Sequence, residues 1–93
     1  MNSRIVDLDE ARLKECLDQI YQIQKENCMP DRIMPAAMER LSLNDEGAID
    51  LIESLIRLGW INTRHIKEKF FLRPGFVRCF PVVLSAGGLE KIK

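Results

Sequence analysis

The chain has 93 residues, 46% hydrophobic and 30% charged, with fourteen Lys/Arg balanced by fourteen Asp/Glu. That length suits one domain with one modest core, and the composition excludes intrinsic disorder. No run reaches the roughly 18 consecutive apolar residues of a membrane span. Met1-Asn2-Ser3-Arg4-Ile5-Val6-Asp7 holds no apolar run ahead of a small-residue cleavage site, so a single cytoplasmic domain over 1–93 is expected, with no membrane partner.

In chain order, Asp7 and Glu10 have the spacing of a capping box at a helix start. Leu13, Cys16, Leu17, Ile20 and Ile23 then recur at three and four residues, with Tyr21 at the edge of the stripe. This predicts an amphipathic helix of about four to five turns. Glu10 and Lys14 form an acid-before-base pair on its solvent side. Asn27 to Met34 is a break, and Pro35 suits the first turn of a short second helix with apolar Ala37, Met38 and Leu41.

Ser42-Leu43-Asn44 reads as a turn in which Asn44 caps a third helix and Asp45 and Glu46 face its positive end. Ala48, Leu51, Ile52, Leu55 and Leu58 make the buried face of that helix, with Ile56 at the flank. Gly59 is placed for a left-handed C-cap. Residues 64–71 and 76–83, rich in Phe, Val, Ile and Cys, predict two strands joined through the turn Arg73-Pro74-Gly75-Phe76. Ser85 caps a last helical turn or two, and Leu89 and Ile92 are expected to dock it on the core.

Cys16, Cys28 and Cys79 are odd in number and lack Cys-x-x-Cys spacing, so no disulfide framework or zinc site is indicated. Cys16 and Cys79 read as small core hydrophobes, and Cys28, in a connection, as the more exposed.

Charge is divided along the chain. Residues 1–58 carry seven Lys/Arg against twelve Asp/Glu, and residues 59–93 seven against two. Such asymmetry marks a nucleic-acid face, or two surfaces that attract each other within a monomer or across a homodimer.

The turn Ser42-Leu43-Asn44, the helix through Leu55, the exit Gly59-Trp60-Ile61, and Leu84-Ser85-x-x-Gly88 leading into Leu89 together resemble the winged helix-turn-helix superfamily. The likeness is to small regulators of the multidrug-resistance and phenolic-acid repressor type, and it spans roughly residues 8–93. It implies an α+β fold: a three-helix core, a two-stranded β-hairpin wing and a short C-terminal helix. In DNA-binding members the third helix enters the major groove and the wing approaches the backbone.

Carried onto this chain, the resemblance offers two surfaces. The outer face of the third helix holds Glu46, Asp50, Glu53 and Arg57, which is net acidic and would be repelled by phosphates. The wing holds Arg64, His65, Lys67, Lys69, Arg73 and Arg78, with Arg73 at the tip and His65, Lys67 and Lys69 on one face of a strand. The same cations also serve to solubilise an edge strand.

The implied function is therefore a nucleic-acid-binding or transcription-related regulator that contacts double-stranded DNA mainly through its basic wing. The alternative is a non-enzymatic protein-interaction module that presents the acidic helix face to a basic protein partner or to a second copy. No catalytic constellation, cofactor motif, metal site or small-molecule ligand is indicated. The chain has one histidine, Gly87-Gly88 lacks the pattern of a phosphate loop, and Asp7, Asp9, Asp45 and Glu46 are capping acids. Trp60, Phe70, Phe71, Phe76 and Phe80 are mostly needed for the core.

Overall fold

The computed structural model of the chain describes residues 10–26, 29–63 and 68–92. Its first element, α1 (Glu10–Glu26), buries Leu13, Cys16, Leu17, Ile20 and Ile23, the stripe the periodicity predicts. The capping residue expected before it, Asp7, lies outside the described residues. Glu10 meets Lys91 at 3.7 Å, tying the start of α1 to the end of the chain.

A 3-10 turn, Pro30–Arg32, leads straight into α2 (Ile33–Arg40). The helix begins two residues ahead of Pro35, which still falls in the first turn, where an amide has no helical acceptor. The earlier start adds Ile33 and Met34 to a buried face otherwise made by Ala37 and Met38. Leu41, expected on that face, is only partly buried.

Two helix ends share one solution. At the end of α2 the Leu43 amide donates to the Met38 carbonyl at 2.8 Å and the Ser42 amide to the Glu39 carbonyl at 3.3 Å. At the end of α3 (Asp45–Leu58) the Trp60 amide donates to Leu55 and the Gly59 amide to Ile56, both at 3.0 Å. These are the paired bonds of a Schellman cap, which needs a left-handed residue at its centre. Gly59 takes that conformation freely at φ 75°, whereas Ser42 takes it at φ 55° against the crowding of its Cβ. At the other end of α3, Oδ1 of Asn44 accepts from the Gly47 amide at 2.7 Å, as the sequence predicts.

Beyond Gly59 the predicted α+β winged helix is overturned. No strand occurs among the described residues, and where a wing was expected stand the one-turn helix α4 (Glu68–Phe71) and a 3-10 turn, Val77–Cys79. The predicted strands, 64–71 and 76–83, share this error, although residues 64–67 lie outside the description. The physical reason lies in what those apolar residues pack against. Val77 and Phe80, three apart, point together from the 3-10 turn into the core between α2 and α3. A strand would send them to opposite faces.

Within the second predicted strand, residues 80–84 lie outside any helix or turn, with Phe80, Val82 and Leu84 buried and Val83 exposed. They make one isolated antiparallel bridge, Ile61 to Leu84, and lie between two other segments rather than in a hairpin. The Val82 amide donates to the Pro30 carbonyl at 3.2 Å on one side, and the Val83 carbonyl accepts from the Asn62 amide at 2.7 Å on the other. Cys79, read as a core residue, is exposed because the 3-10 turn directs it outward.

The chain closes with α5 (Ala86–Lys91), capped by Ser85, whose Oγ accepts from the Gly88 amide at 3.1 Å. Leu89 and Ile92 pack partly buried against the core, as expected. α1, α2 and α3 supply the helical residues of one buried cluster, against which α4 and α5 pack, with Phe80 its largest fully buried side chain. Burying such a ring contributes about 1.5–3 kcal/mol.

Candidate interaction surface

The turn Arg73-Pro74-Gly75-Phe76 forms as predicted, with the Phe76 amide donating to the Arg73 carbonyl at 3.0 Å and Gly75 at φ 88°. Proline second and a positive-φ glycine third suit that backbone path. The turn is not a projecting wing tip. The Gly75 amide donates to Oδ2 of Asp45 at 2.6 Å, which pins the turn against the first residue of α3.

At this turn, Arg73 packs over a pair of aromatic rings. Its guanidinium carbon is 5.0 Å from the centre of Phe70 and 4.4 Å from that of Phe76, and its Nε donates to the Phe70 carbonyl at 3.0 Å. The two rings are 5.3 Å apart, and Phe71 continues the stack inward to Phe80 at 6.0 Å. Phe70 is 48% exposed and Phe76 41%, so two of the five aromatic residues expected mostly in the core lie at the surface. Each of the two cation–ring contacts contributes about 0.5–1 kcal/mol at such exposure, which favours this orientation of Arg73.

The turn is bonded to the first residue of α3, and the outer face of that helix carries the residues singled out by the sequence. Glu46 and Glu53 are exposed, Asp50 is half-buried, and Arg57 is exposed with Nη2 donating to the buried Ser54 hydroxyl at 3.3 Å. These four residues share one face, as their spacing requires. The Asp45–Gly75 bond places the turn that carries the aromatic–arginine cluster at the N-terminal end of α3.

Of the cations assigned to a wing, the three among the described residues stand on different elements. Lys69 is exposed on α4, Arg73 is in the stack, and Arg78 is exposed on the 3-10 turn. Arg64, His65 and Lys67 lie outside the described residues. The position of Phe70 and Phe76 at the surface had no cue in the sequence beyond the proline-glycine turn between them.

Other features offer no assembled chemistry. Among the described residues, no three His, Cys, Asp or Glu side chains converge as metal ligands, and no helix is long and apolar enough to cross a membrane. Cys16 is buried in α1, and that burial pushes its thiol above the ordinary range, with nearby Arg12 opposing the shift and Glu15 adding to it. A protonated buried thiol is a packing residue rather than a nucleophile. The open hollow between α1 and α5 is lined by Tyr21, Ala86, Leu89, Glu90 and Ile92, with a single carboxylate among them.

Compared with known proteins, the chain matches no family model, no curated protein and no solved structure. Its function has to be argued from its own surface.

Proposed function

We propose that this chain is a non-enzymatic protein-interaction module, and that its binding surface is the outer face of α3 together with the Phe70–Arg73–Phe76 stack. One observation carries this reading: two exposed phenylalanines pack against an arginine in a turn bonded to the first residue of α3, the helix that bears the acidic face. Aromatic and arginine side chains with restricted freedom lose little entropy on binding and dominate the energetics of protein interfaces. Carboxylates at Glu46 and Glu53 select for a basic partner and against phosphate.

The test is selection of displayed peptides on the folded protein, followed by affinity measurement on the variant Glu46→Arg/Glu53→Arg/Phe76→Ala. Peptides that bind the parent and lose at least tenfold on the variant support the reading. A parallel titration of labelled mixed-sequence duplex DNA at low and near-physiological salt addresses the nucleic-acid reading, for which exposed Lys69, Arg73 and Arg78 provide cations. Salt-sensitive DNA binding that disappears in Lys69→Glu/Arg73→Glu, with no selected peptides, would replace the protein-interaction reading.

A further inference from the structure

The turn Arg73-Pro74-Gly75-Phe76 brings a cation and two exposed rings together on a bonded backbone path. Resting on the protein-interaction reading, we propose that this turn is the receptor for one carboxylate of the partner, an Asp or Glu side chain flanked by apolar residues. Arg73 takes the carboxylate end-on as a fork, and Phe70 and Phe76 take its apolar neighbours.

Three observations support this occupant. First, the guanidinium is set in place without being used up. Its Nε donates to the Phe70 carbonyl at 3.0 Å, and its carbon lies 5.0 Å from the centre of Phe70 and 4.4 Å from that of Phe76. These contacts leave the two terminal nitrogens, which engage a carboxylate through parallel bonds, open to donate. Arg73 is exposed, and among the described side chains no carboxylate forms an ion pair with it. The carboxylate already bonded to the turn, that of Asp45, accepts from the Gly75 amide at 2.6 Å.

Second, the local charge selects an acid. From Lys69 to Leu89 the chain carries Lys69, Arg73 and Arg78 and no Asp or Glu. All three cations are exposed. This segment therefore attracts an acidic group and disfavours a lysine or arginine. The acids on the outer face of α3 give the partner's cations a separate place, so the partner carries both signs of charge.

Third, the apolar part fits a peptide rather than a nucleic-acid strand. Phe70 is 48% exposed and Phe76 41%, with the two rings packed 5.3 Å apart. Side chains ordered in advance offer contact area at small entropic cost. A strand of nucleic acid would need ring faces on which to stack its bases, and Arg73 already takes ring face on both.

The experiment is a subtractive selection of displayed random peptides. The library is depleted on Arg73→Gln/Phe76→Ala, which keeps the acids of α3, and is then selected on the parent. The surviving peptides are expected to share an Asp or Glu flanked by apolar residues. Made synthetically, they should lose about tenfold in affinity for the parent when that acid is replaced by its amide. The same replacement should change affinity for Arg73→Gln by less than about twofold, because the fork it addresses is gone. Arg73→Lys keeps the charge without the fork and should recover only part of the difference. Unchanged circular dichroism and melting temperature show that the variants fold, and the comparison of acid with amide on the parent needs no variant.

Surviving peptides that lack an acid overturn the proposal, as does an acid whose removal costs as much on Arg73→Gln as on the parent. So does salt-sensitive binding of a labelled mixed-sequence single strand that Arg73→Gln abolishes, when no acid-bearing peptide is selected. Where the undepleted library binds the parent and the depleted one does not, this assignment fails and the protein-interaction reading stands. Where neither binds, both fail.

Discussion

Gly88 of α5 lies flat against the main chain of Trp60, and a Cβ at that position would overlap the Trp60 carbonyl oxygen and stand 2.9 Å from its carbon. The carbonyl is already engaged, accepting the Ser85 amide at 3.0 Å, while the Ser85 hydroxyl donates to the Gly59 carbonyl at 2.5 Å. The start of α5 is thus clasped to the exit of α3 through backbone that cannot retreat cheaply. Gly88→Ala should cost about 1–3 kcal/mol or detach α5. Gly87→Ala is the control: its Cβ would meet the Gly59 carbonyl oxygen at an ordinary 3.5 Å, and the better helix former should stabilise the protein by about 0.5–1 kcal/mol. Urea denaturation of both variants is the check, and equal midpoints would disprove the close approach. By the same logic, removal of residues 85–93 should lower the melting temperature.

The elements that could be read in advance are those whose local pattern and tertiary packing agree. In α1 the apolar residues repeat at helical spacing and no other periodicity competes, so its buried face emerges residue by residue. Asn44, Gly59 and Ser85 are likewise legible, because cap chemistry is local. The region after Trp60 is not. A stretch such as Phe76-Val77-Arg78-Cys79-Phe80 has the β-branched and aromatic content of a strand, and that content also fills a core from a short helical turn. What decides is the space between α2 and α3, which Val77 and Phe80 enter from one side of a 3-10 turn. The pairing of Gly59-Trp60-Ile61 with Leu84-Ser85-x-x-Gly88 is real, but it is a clasp with one bridge rather than the base of a wing. The acidic face of α3 follows from helix geometry, whereas the position of the aromatic–arginine turn at the start of α3 rests on the long-range Asp45–Gly75 contact, which no local pattern encodes.

That contact makes its own prediction. The Asp45 carboxylate accepts from the Gly75 amide and is only partly buried, so its loss should cost about 1 kcal/mol. Asp45→Ala should also release the turn, and amide hydrogen exchange at Gly75 should accelerate at least severalfold more than at Leu51 in the core. Asp45→Asn retains an acceptor oxygen and should recover part of the protection. Unchanged exchange at Gly75 in Asp45→Ala would show that the turn does not rest on α3 in solution.

The two described cysteines should behave oppositely toward a thiol reagent. Cys79 is exposed and should be modified in the native protein, so Cys79→Ser should remove one fast-reacting equivalent. Cys16 is buried with its thiol shifted upward and should react only at the rate at which the chain opens. The shift also fixes the sign of a pH effect. The unfolded thiol ionises at its ordinary value, about 9, while the folded one resists, so the unfolded state binds fewer protons above that point. The Cys16 contribution is complete below the ordinary value and is lost as pH rises beyond it through the raised folded value. Stability measured against pH in the parent and in Cys16→Ala should therefore diverge in slope on the alkaline side. Parallel curves there would refute the assignment.

Ser42 is the one non-glycine residue in the left-handed region among those described, at φ 55°. It is held there by the two bonds that end α2 and by Leu43, which is buried one residue later. A Cβ in that conformation costs about 1–2 kcal/mol, partly regained through the smaller conformational freedom of an unfolded serine relative to glycine. Ser42→Gly should thus raise stability by about 0.5–1 kcal/mol without altering circular dichroism, and Ser42→Val should lower it by more, because β-branching adds to the crowding. A destabilised Ser42→Gly would mean that the connection between α2 and α3 follows a different backbone path. That outcome would also call into question the orientation of α3, since the Leu43 and Asn44 contacts that set it begin at this residue.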